Sequence, residues 1–345
     1  MVLVTGFPKL LARRVAGALA SRGPVVLLVP EEHAEPAADF AATLPDARVL
    51  TGDVASMHLG LSTAEYRDLS ADCSEIVHVA DSSNVGAEKP ALERENVEGT
   101  RTVLEFAQDC RGLRRFTHFS TVFVSGDRVG VIAEDELSAG QSFRSFHEQT
   151  KFEAELLVRR AMGQLPCTVL RPAFIVGDSR TGEIDRFDGP YIVAGLLLST
   201  RLQMPLPLPG DGVAPLNVVP IDFVAAAAAA IHHDPRAVGR TFQIVDPNPS
   251  SSRRVYERVA EREGKKLPRL SLGYKLTDTL LKLPGLERLT REQRMAFATV
   301  NHLSFYSSRN TLEILDGTGI SCPLIEGYLD KLIEYAQKAR NKGTR

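Results

Sequence analysis

Val2-Leu3-Val4-Thr5-Gly6-Phe7-Pro8-Lys9-Leu10-Leu11-Ala12 is a strand, a tight turn and the start of a helix, and its reading decides the fold. Val2–Thr5 is an unbroken apolar and β-branched run, as a strand covered on both faces requires. Gly6 and Pro8 punctuate it, and apolar residues then recur at helical spacing over 10–22. The alternation repeats along the chain. Val25–Val29, Arg48–Leu50, Ile76–Ala80, Phe116–Thr121 and Thr168–Arg171 read as further strands buried on both faces. Segments 34–43, 62–70, 90–110 and 145–163 between them read as helices. Repeated β-α-β units of this kind build a doubly wound parallel sheet with right-handed crossovers. No repeat of solenoid period interrupts them.

The texture changes after Pro172. Gly177–Pro190 is a loop rich in glycine and aspartate, and Met204–Pro215 is punctuated by proline and glycine. Ile221–His232 reads as an alanine-rich helix able to lie close on the sheet, and Thr241–Val245 as a late strand. From Ser252 the chain reads as mostly helical, with an amphipathic stretch at Tyr274–Leu283 and a last helix around Leu324–Arg340. The expected division is a sheet domain of 1–172 with 213–246 interleaved, and a smaller, mostly helical lobe of 173–212 and 247–345.

Bulk properties exclude several classes. A chain of 345 residues, 43% of them hydrophobic, can bury a large core. A net charge of −2 without blocks of like charge offers no footprint for nucleic acid. Cys73, Cys110, Cys167 and Cys322 form no Cys-x-x-Cys pair, so reduced thiols are expected rather than a metal site or a disulfide framework. The longest apolar run, Ile192–Leu198, falls short of the roughly 18 residues that span a bilayer. The opening strand leaves no room for a leader, so a cytoplasmic location is expected.

A strand–turn–helix of this type sets the helix N-terminus where a dinucleotide diphosphate rests. Three glycines normally serve that turn; here Gly6 stands first, Lys9 second and Ala12 third. A methyl at Ala12 is a mild change. Lys9 starts a long side chain where backbone should meet phosphate, and either blocks the seat or pairs with a phosphate from the side. Were φ positive there, a non-glycine residue would cost roughly 1–2 kcal/mol. Further along come Gly52-Asp53-Val54 after the third strand, Val77-His78-Val79-Ala80-Asp81, Glu95-Asn96-Val97-Glu98-Gly99-Thr100, and Ser145-Phe146-His147-Glu148-Gln149-Thr150-Lys151.

Together these motifs resemble the extended short-chain dehydrogenase/reductase family across nearly the whole chain. The resemblance implies a Rossmann-type fold that binds NAD or NADP. It assigns Thr5, Gly6, Phe7, Pro8, Lys9, Leu10, Asp53, Val54, Ala80, Lys151, Arg171 and Pro172 to cofactor binding. Pro30-Glu31-Glu32 follows the second strand. A carboxylate there would repel a 2′-phosphate and favour NAD, although both glutamates read equally well as solvated loop charges. Leu170-Arg171-Pro172-Ala173-Phe174-Ile175-Val176-Gly177-Asp178, Leu216–Asp222 and Gly317–Pro323 are similar to the male-sterility branch, which includes thioester reductases and fatty acyl-CoA reductases.

Chemically, the family pairs a tyrosine with a lysine one helical turn later. Here His147 precedes Lys151. The resemblance gives catalytic roles to Thr121, His147 and Lys151, with Asn96 in support, and Asp81 replaces an alanine beside the cofactor. Imidazole next to an ammonium is a poor proton donor, and it is shorter than phenol by roughly 2 Å where even 1 Å can cost about a hundredfold. Tyr191 could supply a substitute phenol, but packing on the lobe is the simpler reading. Two functions stay open. One is a non-redox or weakly active member serving as sensor or scaffold. The other is an NAD(P)-dependent oxidoreductase acting on a hydrophobic carbonyl or acyl thioester. A small hydrophobic or acyl ligand and a homodimer are the partners the resemblance implies.

Overall fold

The computed structural model describes residues 1–82, 87–199, 212–262, 264, 296 and 302–343. The stretch Tyr274–Leu283 and most of Met204–Pro215 lie outside them. The chain runs β1 (Val2–Thr5), α1 (Leu10–Ala20), β2 (Val25–Val29), α2 (Ala34–Ala41), β3 (Ala47–Thr51), α3 (Thr63–Asp72) and β4 (Glu75–His78). Next come α4 (Lys89–Leu92), a π-helical turn over Glu93–Glu98, α5 (Gly99–Asp109), β5 (Arg115–Phe119), β6 (Gly130–Ile132), α6 (Phe146–Ala161), β7 (Cys167–Pro172) and β8 (Phe174–Val176). Then follow α7 (Pro190–Ser199), β9 (Val218–Pro220), α8 (Ile221–His233), β10 (Thr241–Ile244), α9 (Ser252–Arg262), β11 (Ser304–Tyr306), α10 (Arg309–Leu315) and α11 (Ile325–Gly343).

A seven-stranded sheet has the order β3-β2-β1-β4-β5-β7-β10, every pair parallel. Strand alternation divides its side chains between two cores. Val2, Val4, Leu27, Phe119 and Phe242 pack on the side of α1, α2 and α8, while Leu3, Val26, Ile76 and Phe116 pack on the side of α5 and α6. The alanines of α8 lie buried against the first side, as their size permits. β3 departs from the expected double burial: Arg48 and Thr51 are exposed, because among the described residues this edge strand has only β2 beside it.

Two short parallel pairs, β6 with β11 and β8 with β9, lie off the main sheet. A third core gathers Val176, Leu216, Val218, Tyr256, Tyr328 and Leu332 around α9 and α11. Tyr306, Ile314 and Leu315, late in sequence, pack with the first core instead. Strand order reverses between β1 and β4, so the crevice beyond their carboxyl ends is the topological switch point where ligands of such sheets bind.

Candidate active site

Gly6 closes the turn after β1 with φ +98°, and a Cβ there would stand 2.8 Å from the Ala80 nitrogen. Only glycine fits this approach. Thr5 stitches the two central strands: its hydroxyl accepts from the Val79 and Ala80 amides, each at 3.1 Å, and meets His78 Nδ1 at 2.9 Å. Phe7 turns under the sheet against His33 and Phe40. Lys9 has φ −54° and ψ 140°, an ordinary extended conformation, so the strain expected for a positive φ does not arise.

The Lys9 side chain crosses the crevice and donates to both the carboxylate and the backbone oxygen of Asp81. The other Asp81 oxygen lies 3.6 Å from Lys151 Nζ and 3.8 Å from His147 Nε2. Lys151 also donates to the Phe119 carbonyl at 2.6 Å and is 2% exposed. Burial pushes the Asp81 carboxyl upward, and the Lys9 and Lys151 ammonium groups outweigh it, holding it well below the usual carboxylate range. Burial lowers Lys151, against the opposing pull of Asp81. Lys9, Asp81, His147 and Lys151 therefore form one charge cluster. Its aspartate sits between the two residues that the resemblance assigns to proton transfer and ribose binding.

The α6 helix presents His147 and Lys151 on one face, one turn apart. Ser145 caps it, accepting from the Glu148 amide at 3.1 Å. Asn96, buried in the π turn, holds α6 from beneath by donating to Thr150 Oγ1 at 2.9 Å. The same side chain accepts from the Ser82 amide at 2.6 Å, fixing the segment just after Asp81. Asn96 thus positions the cluster without touching it. Thr121 lines the cavity, and its hydroxyl accepts from Phe123 N. Ser120 sends its hydroxyl the other way, to Glu155 Oε2 at 2.6 Å. Tyr191 accepts from Gly177 N at 2.9 Å and packs edge-on against Phe187, the packing role expected of it.

Arg171 does not reach the crevice. The residue is 1% exposed, and its guanidinium bonds Glu155 through Nε at 2.9 Å and Nη2 at 2.6 Å. Pro172 does line the cavity. At the opposite end, Asp53 accepts from Ala55 N at 2.9 Å and Ser56 Oγ at 3.1 Å and pairs with Arg94, while Val54 packs close to Gly99. The cavity itself holds about 260 Å³ and is walled by Phe119, Phe123, Phe174, Ile175, Ile184 and Ile192.

Asp185 was not legible as a site residue. Its Oδ2 accepts from the Leu10 amide at 2.7 Å, at the start of α1. Arg14 on the same helix pairs with Glu183 at 2.6 Å and with Asp178 at 3.3 Å. The aspartate-rich loop after β8 was the available signal, but nothing in its composition says which carboxylate meets α1.

The adenosine end suits a dinucleotide: Gly52 and Asp53 close the turn after β3, and Glu31 and Glu32 stand exposed after β2. The diphosphate end has three positions without a free donor. Pro8 has no amide hydrogen, the Lys9 amide bonds Gly6 O at 3.1 Å, and the Leu10 amide is taken by a carboxylate. The nicotinamide end meets Asp81.

The NAD-binding family model described as male sterility protein matches residues 31–228, so its match begins after the Gly6–Lys9 turn. A nonribosomal peptide synthetase of Aspergillus flavus is 27% identical over 61% of this chain and 21% of its own length. A fatty acyl-CoA reductase of Drosophila melanogaster is 23% identical over 53% of this chain and 40% of its own. The chain thus spans less than half the length of either relative. The crystal structure of the terminal R domain from the myxalamid PKS-NRPS biosynthetic pathway superposes with a TM-score of 0.81 and 25% identity, covering 99% of this chain and 90% of that one.

Proposed function

The chain belongs to the NAD-binding male sterility protein family, with the fold of extended short-chain dehydrogenase/reductases, and from that premise we propose a non-redox or weakly active member that binds a small apolar or acyl ligand as sensor or scaffold. The single observation that carries this reading is the Lys9–Asp81–Lys151 cluster, with His147 at its edge. Hydride transfer in this family needs the lysine free to hold the nicotinamide ribose and a phenol to give the proton. Here the lysine faces an aspartate and a backbone carbonyl, and no phenol stands on α6 at that position. The apolar cavity is kept.

The alternative is an oxidoreductase acting on a hydrophobic carbonyl or acyl thioester. One feature favours it. Thr121, His147 and the Asp81 carboxylate line one apolar cavity, so an imidazole–carboxylate pair stands where a proton would be exchanged.

Titration with NADH and NADPH separates the two. The chain contains no tryptophan, so nicotinamide emission can be followed without interference. The expected result is no saturation at millimolar concentration of either; micromolar binding with turnover of an aldehyde or acyl thioester would establish the alternative. In a Lys9→Gly/Asp81→Ala/His147→Tyr chain, cofactor binding and carbonyl reduction should both rise. No gain would mean that the cavity departs from the family in more than these residues.

A further inference from the structure

We propose that Asp185 is a built-in anion that occupies the diphosphate seat of α1, so that this chain selects against phosphorylated nucleotides through a contact separate from the Lys9–Asp81 pair, in the same cavity. The proposal deepens the non-redox reading and rests on it.

The N-terminus of α1 carries amide hydrogens without partners in the helix and the positive end of its dipole, which together attract one anion. In this turn three successive positions offer an incoming ligand no free donor. Pro8 supplies none, the Lys9 amide bonds Gly6 O, and the Leu10 amide bonds Asp185 Oδ2 at 2.7 Å. A carboxylate already sits where an incoming phosphate oxygen would be received.

The backbone that carries Asp185 is held from three sides. Asp178, buried, accepts from the amides of Arg180 at 2.9 Å and Thr181 at 3.1 Å, and so fixes the turn. Ser179 bonds Asp222 at the start of α8 through its amide at 2.8 Å and its hydroxyl at 2.6 Å. Arg14 draws Glu183 and Asp178 onto α1 itself. The side chain of Asp185 faces the open cleft, so its charge, rather than bulk alone, governs what can approach. A diphosphate would have to displace this carboxylate from the Leu10 amide and then lie beside it.

The test compares adenosine with ADP, which differ by the diphosphate and carry no nicotinamide, in wild type, Asp185→Ala and Asp185→Asn, by calorimetry. Wild type should bind ADP no more tightly than adenosine. Asp185→Ala should bind ADP at least tenfold more tightly than adenosine. Asp185→Asn keeps an acceptor for the Leu10 amide while removing the charge; it guards against misfolding of the alanine variant and should gain in the same direction. A wild-type preference for ADP of tenfold or more, or no gain in either variant, overturns the proposal. Tight NADH binding with turnover by wild type would remove the non-redox reading, while the ADP-to-adenosine ratio still decides the role of Asp185 separately.

Discussion

Asp81 decides the character of the site. Lys9 and Lys151 both converge on it, and two ammonium groups this close are tolerated only because the carboxylate lies between them. Asp81→Asn should therefore cost about 3–5 kcal/mol, the range for breaking a largely buried ion pair, read as a lower denaturant midpoint at pH 7. The pH dependence has a definite sign. A carboxyl held well below its ordinary value contributes stability that is complete above its unfolded value, near 4, and lost as pH falls through the folded value. The acid limb of Asp81→Asn should accordingly be flatter than that of wild type. His78 and His118 add a second slope at higher pH. Both are buried and stacked, burial lowers His78 to about 3 and His118 well below its ordinary value, and neither His118 nitrogen has a hydrogen-bond partner among the described residues. The unfolded chain takes up protons on them below about pH 6.5 while the folded chain does not, so stability falls as pH drops from there. His118→Phe should lose less melting temperature between pH 7 and 5 than wild type does; an equal loss would exclude His118 as a source of the slope. Lys9 and Asp81 were each visible in sequence as departures from a motif. Their pairing was not, because they lie on two strand ends that only the sheet brings together.

At the scale of elements, α6 is fastened to the sheet by a buried polar network that the sequence does not announce. Glu155 receives Arg171 from β7, Arg159 from its own helix and Ser120 from the end of β5. The resemblance groups Arg171 with the cofactor residues because it sits in a family motif at a strand end. Strand alternation turns its side chain to the opposite face, where the glutamate neutralises it. Arg171→Leu should leave Glu155 buried with one arginine fewer and cost about 3–5 kcal/mol, whereas ligand binding in the folded variant should change little. A variant of normal stability with impaired ligand binding would reverse that assignment. The main strands and helices were legible because valine-rich runs and helical spacing repeat over many residues. The β6–β11 and β8–β9 pairs were not, since three-residue strands carry too little pattern and their partners are distant in sequence.

At the scale of the whole molecule, the loop after β8 returns to α1 through Glu183 and Asp185, beside the cavity that the charge cluster lines. Sequence texture marked a change after Pro172 but could not say that the loop returns to α1, because that contact is made by single charged side chains rather than by a periodic face. The loop's seat on the last helix depends on one residue. Gly182 has φ +77°, and a Cβ there would stand 2.3 Å from the Lys331 carbonyl of α11 and 2.7 Å from Tyr335 Cβ. Backbone on one side and a packed ring on the other leave no direction in which to yield. Gly182→Ala combines that clash with roughly 1–2 kcal/mol of left-handed strain, and should lower the melting temperature by a few degrees, taking about 1.4 °C for each kcal/mol in a chain of this size. Gly163→Ala, with open space around its added methyl, is the matched control and should melt with wild type. If the loop also sets Asp185 against α1, Gly182→Ala should gain ADP affinity at a temperature where it remains folded, and proteolysis should begin between Gly177 and Pro190. Cleavage elsewhere with no gain in ADP binding would mean that α11 supports the lobe without controlling what the α1 seat admits.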